Sequence, residues 1–302
     1  MFSGQGSQKI GMGLNLAENF KSASEVFQCA SEILHTDILK ICTEENSSKL
    51  FQTQFAQPAI AAVSIAAFKT LQNFNVPFQA VVGHSLGSIS ALMAAQVISI
   101  EDGFKIIDAR AKAMQKCENN NNGTMCAIIG ADKTVIKNAC QNASDYVICA
   151  NFNGTNQIVI SGTKTAVEEV TKQLKTKAKR CIMLNVKAAF HSKLMKPAAE
   201  IFSSALESIT FHKPKVTVFS NVTGKKIDDT TNIKELLIKQ IYSPVKFTQN
   251  LIELEKLNFI NYVEFGPSKT LCSIVKSTIK NAVTLNVFDK ISLMATTQQL
   301  NL

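Results

Sequence analysis

The residues with the clearest chemical potential are the run Gly-His-Ser-Leu-Gly at positions 83–87. A short apolar run at 80–82 precedes it and an alanine-rich stretch with helical spacing follows at 88–97, so Ser85 falls at a strand–turn–helix junction. The glycines allow a sharp turn and leave room for the serine hydroxyl to project. Backbone N–H groups at the start of the following helix then face an incoming carbonyl oxygen. The pattern predicts a serine nucleophile, and a chance serine in a glycine turn is the alternative.

A serine hydroxyl needs a base to take its proton, and four histidines are available. His84 is the neighbour of Ser85 on an extended segment, so its side chain is expected to point to the opposite side. His35 falls in a helical stretch without other chemical groups, and His212 precedes a Lys-Pro pair that is typical of a loop. His191 follows a predicted strand where the larger domain resumes, and we predict it as the base. An ordinary loop histidine is the alternative.

These residues need a scaffold, and the hydrophobic periodicity indicates one. Alanines, valines and isoleucines at helical spacing over 57–71 predict a buried helix. The polar run Glu-Asn-Asn-Asn-Asn-Gly at 118–123 predicts a linker. Beyond it we predict strands at 124–129, 146–151, 157–161 and 181–186, and helices at 132–142 and 164–176.

That order, βαββαβ, is typical of a ferredoxin-like module. We therefore predict an α/β fold in which a large α/β-hydrolase-like domain with a parallel sheet carries an inserted small subdomain. The large domain comprises residues 1–122 and 188–302, and the ferredoxin-like subdomain comprises residues 123–187.

Composition narrows the class of protein further. A length of 302 residues with 46% hydrophobic content is enough for a continuous buried core. The eight cysteines form no Cys-x-x-Cys pair and no secretory leader pattern opens the chain. Free thiols in a reducing compartment are expected, either a bacterial cytoplasm or an organelle. The longest apolar stretches, 58–68 and 89–100, are shorter than the roughly 20 residues of a membrane helix, so no membrane span is expected.

The net charge of +9 comes from 32 basic and 23 acidic residues spread along the chain. Arginines interleaved with aromatic residues are absent and there is no tryptophan, so nucleic-acid binding is not predicted. The charge fits either an ordinary solvated surface or attraction to an acidic protein partner. No His-Glu-x-x-His or Walker A lysine occurs, so neither a metal nor a nucleotide cofactor is expected.

Once these residues are placed, the chain resembles the malonyl-CoA:acyl carrier protein transacylases and the acyltransferase domains of polyketide synthases over essentially its whole length. The matching motifs are Gly-Gln-Gly-Ser-Gln at 4–8, Gln-Pro-Ala at 57–59, Gly-His-Ser-Leu-Gly at 83–87, Arg110 with Met114, Asn-Phe-Asn at 151–153, Phe-His-Ser at 190–192, Gln-Ile-Tyr-Ser-Pro-Val at 240–245 and Glu-Phe-Gly-Pro at 264–267. Several blocks in one order are far more specific than any one of them.

The resemblance implies how the nucleophile is assisted. Ser85 and His191 would form a dyad without a carboxylate, and the segment at Gln240 would orient the histidine. The backbone N–H groups of Gln5 and Leu86 would form the oxyanion hole.

The resemblance also implies a substrate-binding set. Arg110 matches the arginine that holds the free carboxylate of the acyl group, and a planar, permanently charged guanidinium suits that task because it can bind a carboxylate with two hydrogen bonds. Phe190 resembles the pattern of malonyl-type rather than methylmalonyl-type domains. Gln240, Met114 and Asn153 complete the predicted substrate-binding residues.

The reaction implied is a ping-pong transfer from malonyl-CoA, through a malonyl-serine, to the pantetheine thiol of acyl carrier protein, which supplies fatty-acid elongation. Acyl carrier proteins are typically acidic, which fits the basic surface. Malonyl-CoA enters as a substrate, no cofactor is expected, and we expect a monomer.

This chain departs from the family pattern near its first residues and at two positions in the middle. Only residues 1–3 precede the Gly-Gln-Gly-Ser-Gln motif, so the first core strand is expected to be short or absent unless the start codon is placed too late. Ser88 and Ala111 stand where relatives usually have an acidic residue and a glycine. Two other functions stay open, the first because of these departures and the second because of the Gly-x-Ser-x-Gly pattern alone. One is an impaired relative that binds acyl carrier protein without turnover, and the other is a serine esterase or thioesterase.

Overall fold

The computed structural model of the chain describes residues 1–120, 122–228 and 231–300. Its α-helices are α1 Leu14–Asn19, α2 Lys21–Leu34, α3 Ile38–Ile41, α4 Ser47–Leu50, α5 Thr53–Gln72, α6 Gly87–Ala94, α7 Ile100–Asn120, α8 Lys133–Gln141, α9 Lys164–Leu174, α10 Lys196–Ala205, α11 Ile233–Tyr242, α12 Phe247–Lys256, α13 Thr270–Thr278 and α14 Lys290–Gln299. Its strands are β1 Ala80–Val81, β2 Gly123–Ile129, β3 Val147–Phe152, β4 Gln157–Thr163, β5 Arg180–Met183, β6 Thr217–Val218, β7 Asn261–Phe265 and β8 Val283–Val287. Short 3₁₀ helices cover Glu44–Asn46 and Lys193–Met195.

The larger part of the molecule is built on parallel strands. Strand β1 pairs with β6, and β7 pairs with β8, both in parallel. Phe2 lies between the two pairs and forms parallel bridges to Gly83 and to Phe265. The expected short first strand is thus reduced to one bridging residue, which is enough to join the two pairs into one parallel arrangement.

Helix α5 passes through the centre of the core, and most of its residues are buried. A helix that is apolar all round must be covered on all sides, and here α2 and α7 pack against it. The predicted helix at 57–71 is therefore confirmed and is somewhat longer than predicted. The predicted linker at 118–123 is wrong in its first half, because α7 continues to Asn120. Residue 121 of that segment lies outside the described residues.

Residues 123–183 form a second, antiparallel sheet with the strand order β3-β4-β2-β5 and two helices, α8 and α9. Every predicted element of the βαββαβ order is present at slightly shifted bounds. Alternate residues of β2 face opposite sides of this sheet. Met125 and Ala127 join the main core, while Cys126 and Ile128 join a separate core beneath α8 and α9. Strand β2 therefore couples the two parts of the molecule.

The fold is a mixed α/β architecture with parallel strands and a second, antiparallel sheet. No helix in residues 1–120, 122–228 and 231–300 is long and apolar enough to cross a membrane. All eight cysteines are free thiols.

Candidate active site

The nucleophile turn connects β1 to α6 at residues 83–87. Ser85 has a left-handed backbone with a φ of 51°. A residue other than glycine rarely keeps this conformation unless the surrounding structure stabilises it. A Cβ added to Gly83 would lie 1.9 Å from the backbone of Gly87, and one added to Gly87 would lie 2.1 Å from the carbonyl oxygen of Phe2. Only glycine fits these two positions, so the chain can turn tightly and raise the serine at the helix start.

Ser85 and His191 form a hydrogen-bonded pair, with Oγ of the serine 2.7 Å from Nε2 of the histidine. Nδ1 of His191 lies 2.8 Å from the backbone carbonyl oxygen of Gln240. Because a carbonyl oxygen only accepts, Nδ1 must carry the proton and Nε2 is left to accept from the serine hydroxyl. Both members of the pair are buried. The geometry is that of a nucleophile and a general base oriented by a main-chain carbonyl.

The charge state of His191 suits a base. Burial, reinforced by the positive charge of Arg110, lowers the pKa of His191 to about 3. The imidazole is therefore neutral at neutral pH and able to accept a proton. In the unfolded chain this histidine is protonated near its ordinary pKa of about 6.5. Because the unfolded state then binds a proton that the folded state does not, the free energy of unfolding decreases as pH falls from about 6.5 toward 3.

Two backbone N–H groups, one in the nucleophile turn and one in the loop that packs against it, are available to a ligand. Neither the N–H of Gln5 nor that of Leu86 donates a hydrogen bond within the part of the chain that the structure describes. The loop that carries Gln5 lies against the nucleophile turn, since a Cβ added to Gly4 would be 2.6 Å from the carbonyl oxygen of His84. Leu86 directly precedes α6, whose N-terminal end favours negative charge.

Arg110 lies beside the dyad and is 1% exposed. Its Nη1 donates to Oε1 of Gln57 at 2.6 Å, and its Nη2 donates to Oγ of Ser85 at 3.0 Å and approaches Oε1 of Gln240 at 3.5 Å. Within the described residues its Nε has no hydrogen-bond partner and no carboxylate pairs with the guanidinium. Burial lowers its pKa to about 10, so it stays charged at neutral pH. A buried cation with only neutral partners favours an anionic ligand.

A chain of hydrogen bonds holds Arg110 in place. Gln57 accepts from the guanidinium and donates through Nε2 to Oε1 of Gln5 at 3.0 Å. Gln5 in turn donates to Oγ1 of Thr53 at 3.0 Å, and Thr53 donates to Oε2 of Glu118 at 2.8 Å. Gln57 was predicted only as part of a motif. The available signal was the position of a glutamine in a helix predicted to be buried, because a buried amide must find partners. The structure shows that Gln57 is completely buried.

The remaining predicted site residues lie around this centre. Met114 is buried one turn after Arg110, with its Sδ 3.4 Å from Nε2 of Gln57. Phe190 is buried next to His191. Asn153 lies beside the turn, with its Oδ1 2.8 Å from Nε2 of His84.

Two polar residues behind the turn complete the arrangement. Oγ of Ser88 receives a hydrogen bond from Nε2 of Gln240 at 2.9 Å and donates to Oδ1 of Asn221 at 3.0 Å. Asn221 was not predicted as a site residue. It sits in Ser-Asn-Val-Thr-Gly at 220–224, which by composition is an ordinary turn.

A buried serine–histidine pair at a strand–turn–helix junction, with an arginine hydrogen-bonded to the same serine, is suited to the chemistry of acyl transfer. The chain belongs to the acyl transferase domain family, which matches residues 1–301.

Relatives agree along nearly their whole length. The chain is 35% identical over 300 residues to a malonyl CoA-acyl carrier protein transacylase of Haemophilus influenzae, covering 98% of this chain and 96% of that protein. It is 36% identical over 293 residues to the Bacillus subtilis protein of the same name, covering 96% and 92%.

Solved structures give the same result. The malonyl CoA-acyl carrier protein transacylase of Clostridium perfringens superposes with a TM-score of 0.95 at 35% identity, covering 99% of this chain and 96% of that chain. A type II PKS acyl-carrier protein in complex with its malonyl-transacylase matches with a TM-score of 0.94 at 33% identity, covering 99% and 98%.

Proposed function

We propose that this protein transfers the malonyl group of malonyl-CoA to the phosphopantetheine thiol of acyl carrier protein through a malonyl-serine at Ser85, and so supplies fatty-acid elongation. The observation that carries the proposal is the buried Arg110 guanidinium, which touches Ser85 and has only neutral partners. Such a site accepts an acyl group with a free carboxylate and penalises one without it. The names of the relatives and the acyl-carrier complex of a similar structure support the same donor and acceptor.

In the first half-reaction, Oγ of Ser85 attacks the thioester carbonyl while Nε2 of His191 takes the hydroxyl proton. The backbone N–H groups of Gln5 and Leu86 stabilise the negative charge on the carbonyl oxygen. When the tetrahedral intermediate collapses, the C–S bond breaks and the imidazolium of His191 protonates the leaving CoA sulfur. The products are malonyl-Ser85 and free CoA.

In the second half-reaction, the same groups act in reverse order. His191 removes the proton of the incoming pantetheine thiol, the sulfur attacks the malonyl ester, and the proton returns to Oγ of Ser85. The thioester bond that forms replaces the ester bond that breaks, and malonyl-CoA enters as a substrate. The carbonyl of Gln240 keeps His191 in the required tautomer throughout.

Arg110 sets the donor specificity in this proposal. A carboxylate at the guanidinium would receive charge-assisted hydrogen bonds from nitrogens that now hold neutral partners. Met114, Phe190 and Gln240 would shape the space for the rest of the acyl group, and Asn153 would act through His84.

We also propose a finer architecture for the chain. Residues 1–122 and 188–302 would be an α/β-hydrolase-like catalytic domain, and residues 123–187 a ferredoxin-like subdomain. The βαββαβ order and the antiparallel pairing of the second sheet support this division.

The protein is proposed to act as a monomer in a reducing compartment, in keeping with its free thiols. The relatives point to a bacterial cytoplasm, with an organelle as the alternative. Size-exclusion chromatography with light scattering tests the monomer.

Intact-protein mass spectrometry tests the proposed function. Malonyl-CoA should add one malonyl group to the protein, holo acyl carrier protein should remove it and gain the same mass, and acetyl-CoA should label far less. A folded protein without an adduct would indicate the non-catalytic relative. An adduct lost to water faster than to acyl carrier protein would indicate a thioesterase.

The pH dependence should differ between the two kinetic parameters. The acid limb of kcat/KM should fall well below the ordinary histidine pKa of about 6.5, because burial and Arg110 lower the pKa of His191 in the free enzyme. Bound malonyl would offset the charge of Arg110, so the acid limb of kcat should lie at higher pH. Initial rates between about pH 4.5 and 8 locate the limb of kcat and test whether kcat/KM stays level down to the lower end of that range. A kcat/KM limb at or above the ordinary value would contradict the assignment.

A Gln57→Glu substitution should weaken malonyl transfer by supplying Arg110 with a counter-ion. Oε1 of Gln57 lies 2.6 Å from Nη1 of the guanidinium, so a carboxylate there would compete with the substrate. We expect kcat/KM for malonyl-CoA to fall by about 30-fold, with a smaller change for acetyl-CoA. Gln72→Glu, at the other end of α5, is the matched control and should leave both values unchanged. Equal losses for both donors would argue against the counter-ion explanation.

A further inference from the structure

Asn221 lies directly behind the nucleophile turn and is 1% exposed. Its Oδ1 accepts from the backbone N–H of Ser85 at 2.8 Å and from Oγ of Ser88 at 3.0 Å. Its Nδ2 donates to the backbone carbonyl of Gly83 at 2.9 Å and to Oδ1 of Asn250 at 2.9 Å. One side-chain amide thus contacts the glycine before the nucleophile, the nucleophile itself and the helix after it.

The orientation of this amide is determined by its partners. Gly83 offers only a carbonyl oxygen, and Ser85 offers only an N–H. Asn250 uses its own Nδ2 to donate to the carbonyl of Ser220 at 2.9 Å, so it presents its Oδ1 to Asn221. Exchanging O and N in Asn221 would put acceptor against acceptor and donor against donor, which a fully buried site does not tolerate.

The bond to the N–H of Ser85 matters because the backbone of Ser85 is left-handed, with a φ of 51°. Such a conformation persists only when its surroundings over-determine it. The direction of Oγ toward Nε2 of His191, at 2.7 Å, depends on that backbone conformation. Asn221 accepts the hydrogen bond of the Ser85 N–H in that conformation and so stabilises it.

The same amide is connected to the histidine. Nε2 of Gln240 donates to Oγ of Ser88 at 2.9 Å and approaches Oδ1 of Asn221 at 3.5 Å. The backbone carbonyl of Gln240 accepts from Nδ1 of His191. Asn221 therefore links the element that carries the nucleophile to the residue that orients the base.

We propose that Asn221 is a positioning residue of the acyl-transfer site. Its amide holds Ser85 in the left-handed conformation and keeps the hydroxyl aligned with His191. The expected effect on the rate of transfer rests on the function proposed above. The reactivity of Ser85 toward a sulfonyl fluoride tests the positioning role without any acyl donor.

The first test compares Asn221→Ala with Asn286→Ala, which removes another buried asparagine amide, one that hydrogen-bonds to Ser268 away from the dyad. We expect Asn221→Ala to lower kcat on the order of 100-fold with KM for malonyl-CoA within about threefold of the wild type, because misalignment affects reaction more than binding. Phenylmethylsulfonyl fluoride should label Ser85 more slowly by a similar factor. Asn286→Ala should keep both rates. A kcat and labelling rate within about threefold of the wild type in folded Asn221→Ala would overturn the proposal.

A second variant covers the case in which Asn221→Ala fails to fold. Asn221→Asp keeps the shape and the acceptor for Ser85, but only its protonated form can donate to Gly83. Burial should raise the pKa of this new carboxyl. The labelling rate relative to wild type should therefore rise as pH is lowered from about 9 to 6, a range in which His191, with a pKa of about 3, stays neutral and Arg110, with a pKa of about 10, stays charged. A pH-independent ratio would overturn the proposal. If sulfonyl labelling behaves as expected but malonyl-CoA gives no adduct with the wild type, the donor assignment fails and the positioning role stands.

Discussion

Ser85→Ala should abolish the malonyl adduct and lower the rate of transfer to acyl carrier protein on the order of 10⁶-fold, the scale seen when a hydrolase loses its nucleophile. The reaction requires a covalent bond to Oγ, and neither the oxyanion groups nor His191 can replace it. Removing the hydroxyl also removes one of the neutral partners of Arg110. Malonyl-CoA should therefore bind at least as tightly as before, which isothermal titration can measure in the inactive variant.

The matched control is Ser90→Ala on α6, the helix that follows the nucleophile turn. Ser90 is 1% exposed, and its Oγ has no hydrogen-bond partner within the described residues. Losing that hydroxyl should leave transfer unchanged and should not destabilise the fold. Mass spectrometry after mixing with malonyl-CoA and then holo acyl carrier protein separates the two variants. Transfer by Ser85→Ala within about 100-fold of wild type would place the nucleophile elsewhere.

Arg110→Ala should lower kcat/KM for malonyl-CoA by about 10³-fold, which corresponds to about 4 kcal/mol and to the loss of two charge-assisted hydrogen bonds. The same change should leave kcat/KM for acetyl-CoA unchanged or raise it, because the buried cation that penalises an uncharged acyl group is gone. The ratio of the two kcat/KM values is the decisive measurement. Equal losses for both donors would show that Arg110 acts on Ser85 alone, through the bond of 3.0 Å to its hydroxyl.

Two further variants separate charge from folding. Arg110→Met fills similar volume without burying a charge and should raise the melting temperature while malonyl transfer is lost. Arg180→Gln removes the charge of an exposed arginine on β5 and should change neither property. Arg110→Met that is both inactive and unstable would mean that the guanidinium supports the fold as well as the substrate.

Local patterns suffice to predict the nucleophile turn and the antiparallel module. Glycine spacing around Ser85, an apolar run before it and helical periodicity after it are all contained in fewer than 20 residues. The six elements of the module are each periodic and separated by turn residues, so their order could be predicted even though their bounds shifted. Strand order in the sheet, in contrast, depends on contacts between distant segments.

The residues that sequence reasoning missed are those defined by distant partners. Asn221 meets Ser85 and Gly83 across 136 and 138 residues, and nothing in its neighbourhood indicates those contacts. The end of α7 was misassigned for a related reason. Asparagines favour turns, but Glu118 is held in the helix by Thr53 at 2.8 Å and by the N–H of Lys187 at 3.0 Å. Tertiary contacts outweigh local preference there.

The bridge formed by Phe2 has a consequence for the synthesis of the protein. The first three residues are made long before residues 263–265, yet Met1 and Ser3 bond to Val263 and Glu264 across 262 and 261 positions. During synthesis on a ribosome, the loop that carries Gln5 therefore lacks these contacts to β7 until residues 263–265 emerge. Pairing over such a separation is slow to form. Nascent chains that already contain both Ser85 and His191 should thus stay inactive until β7 is released, and activity should appear late and abruptly along the chain.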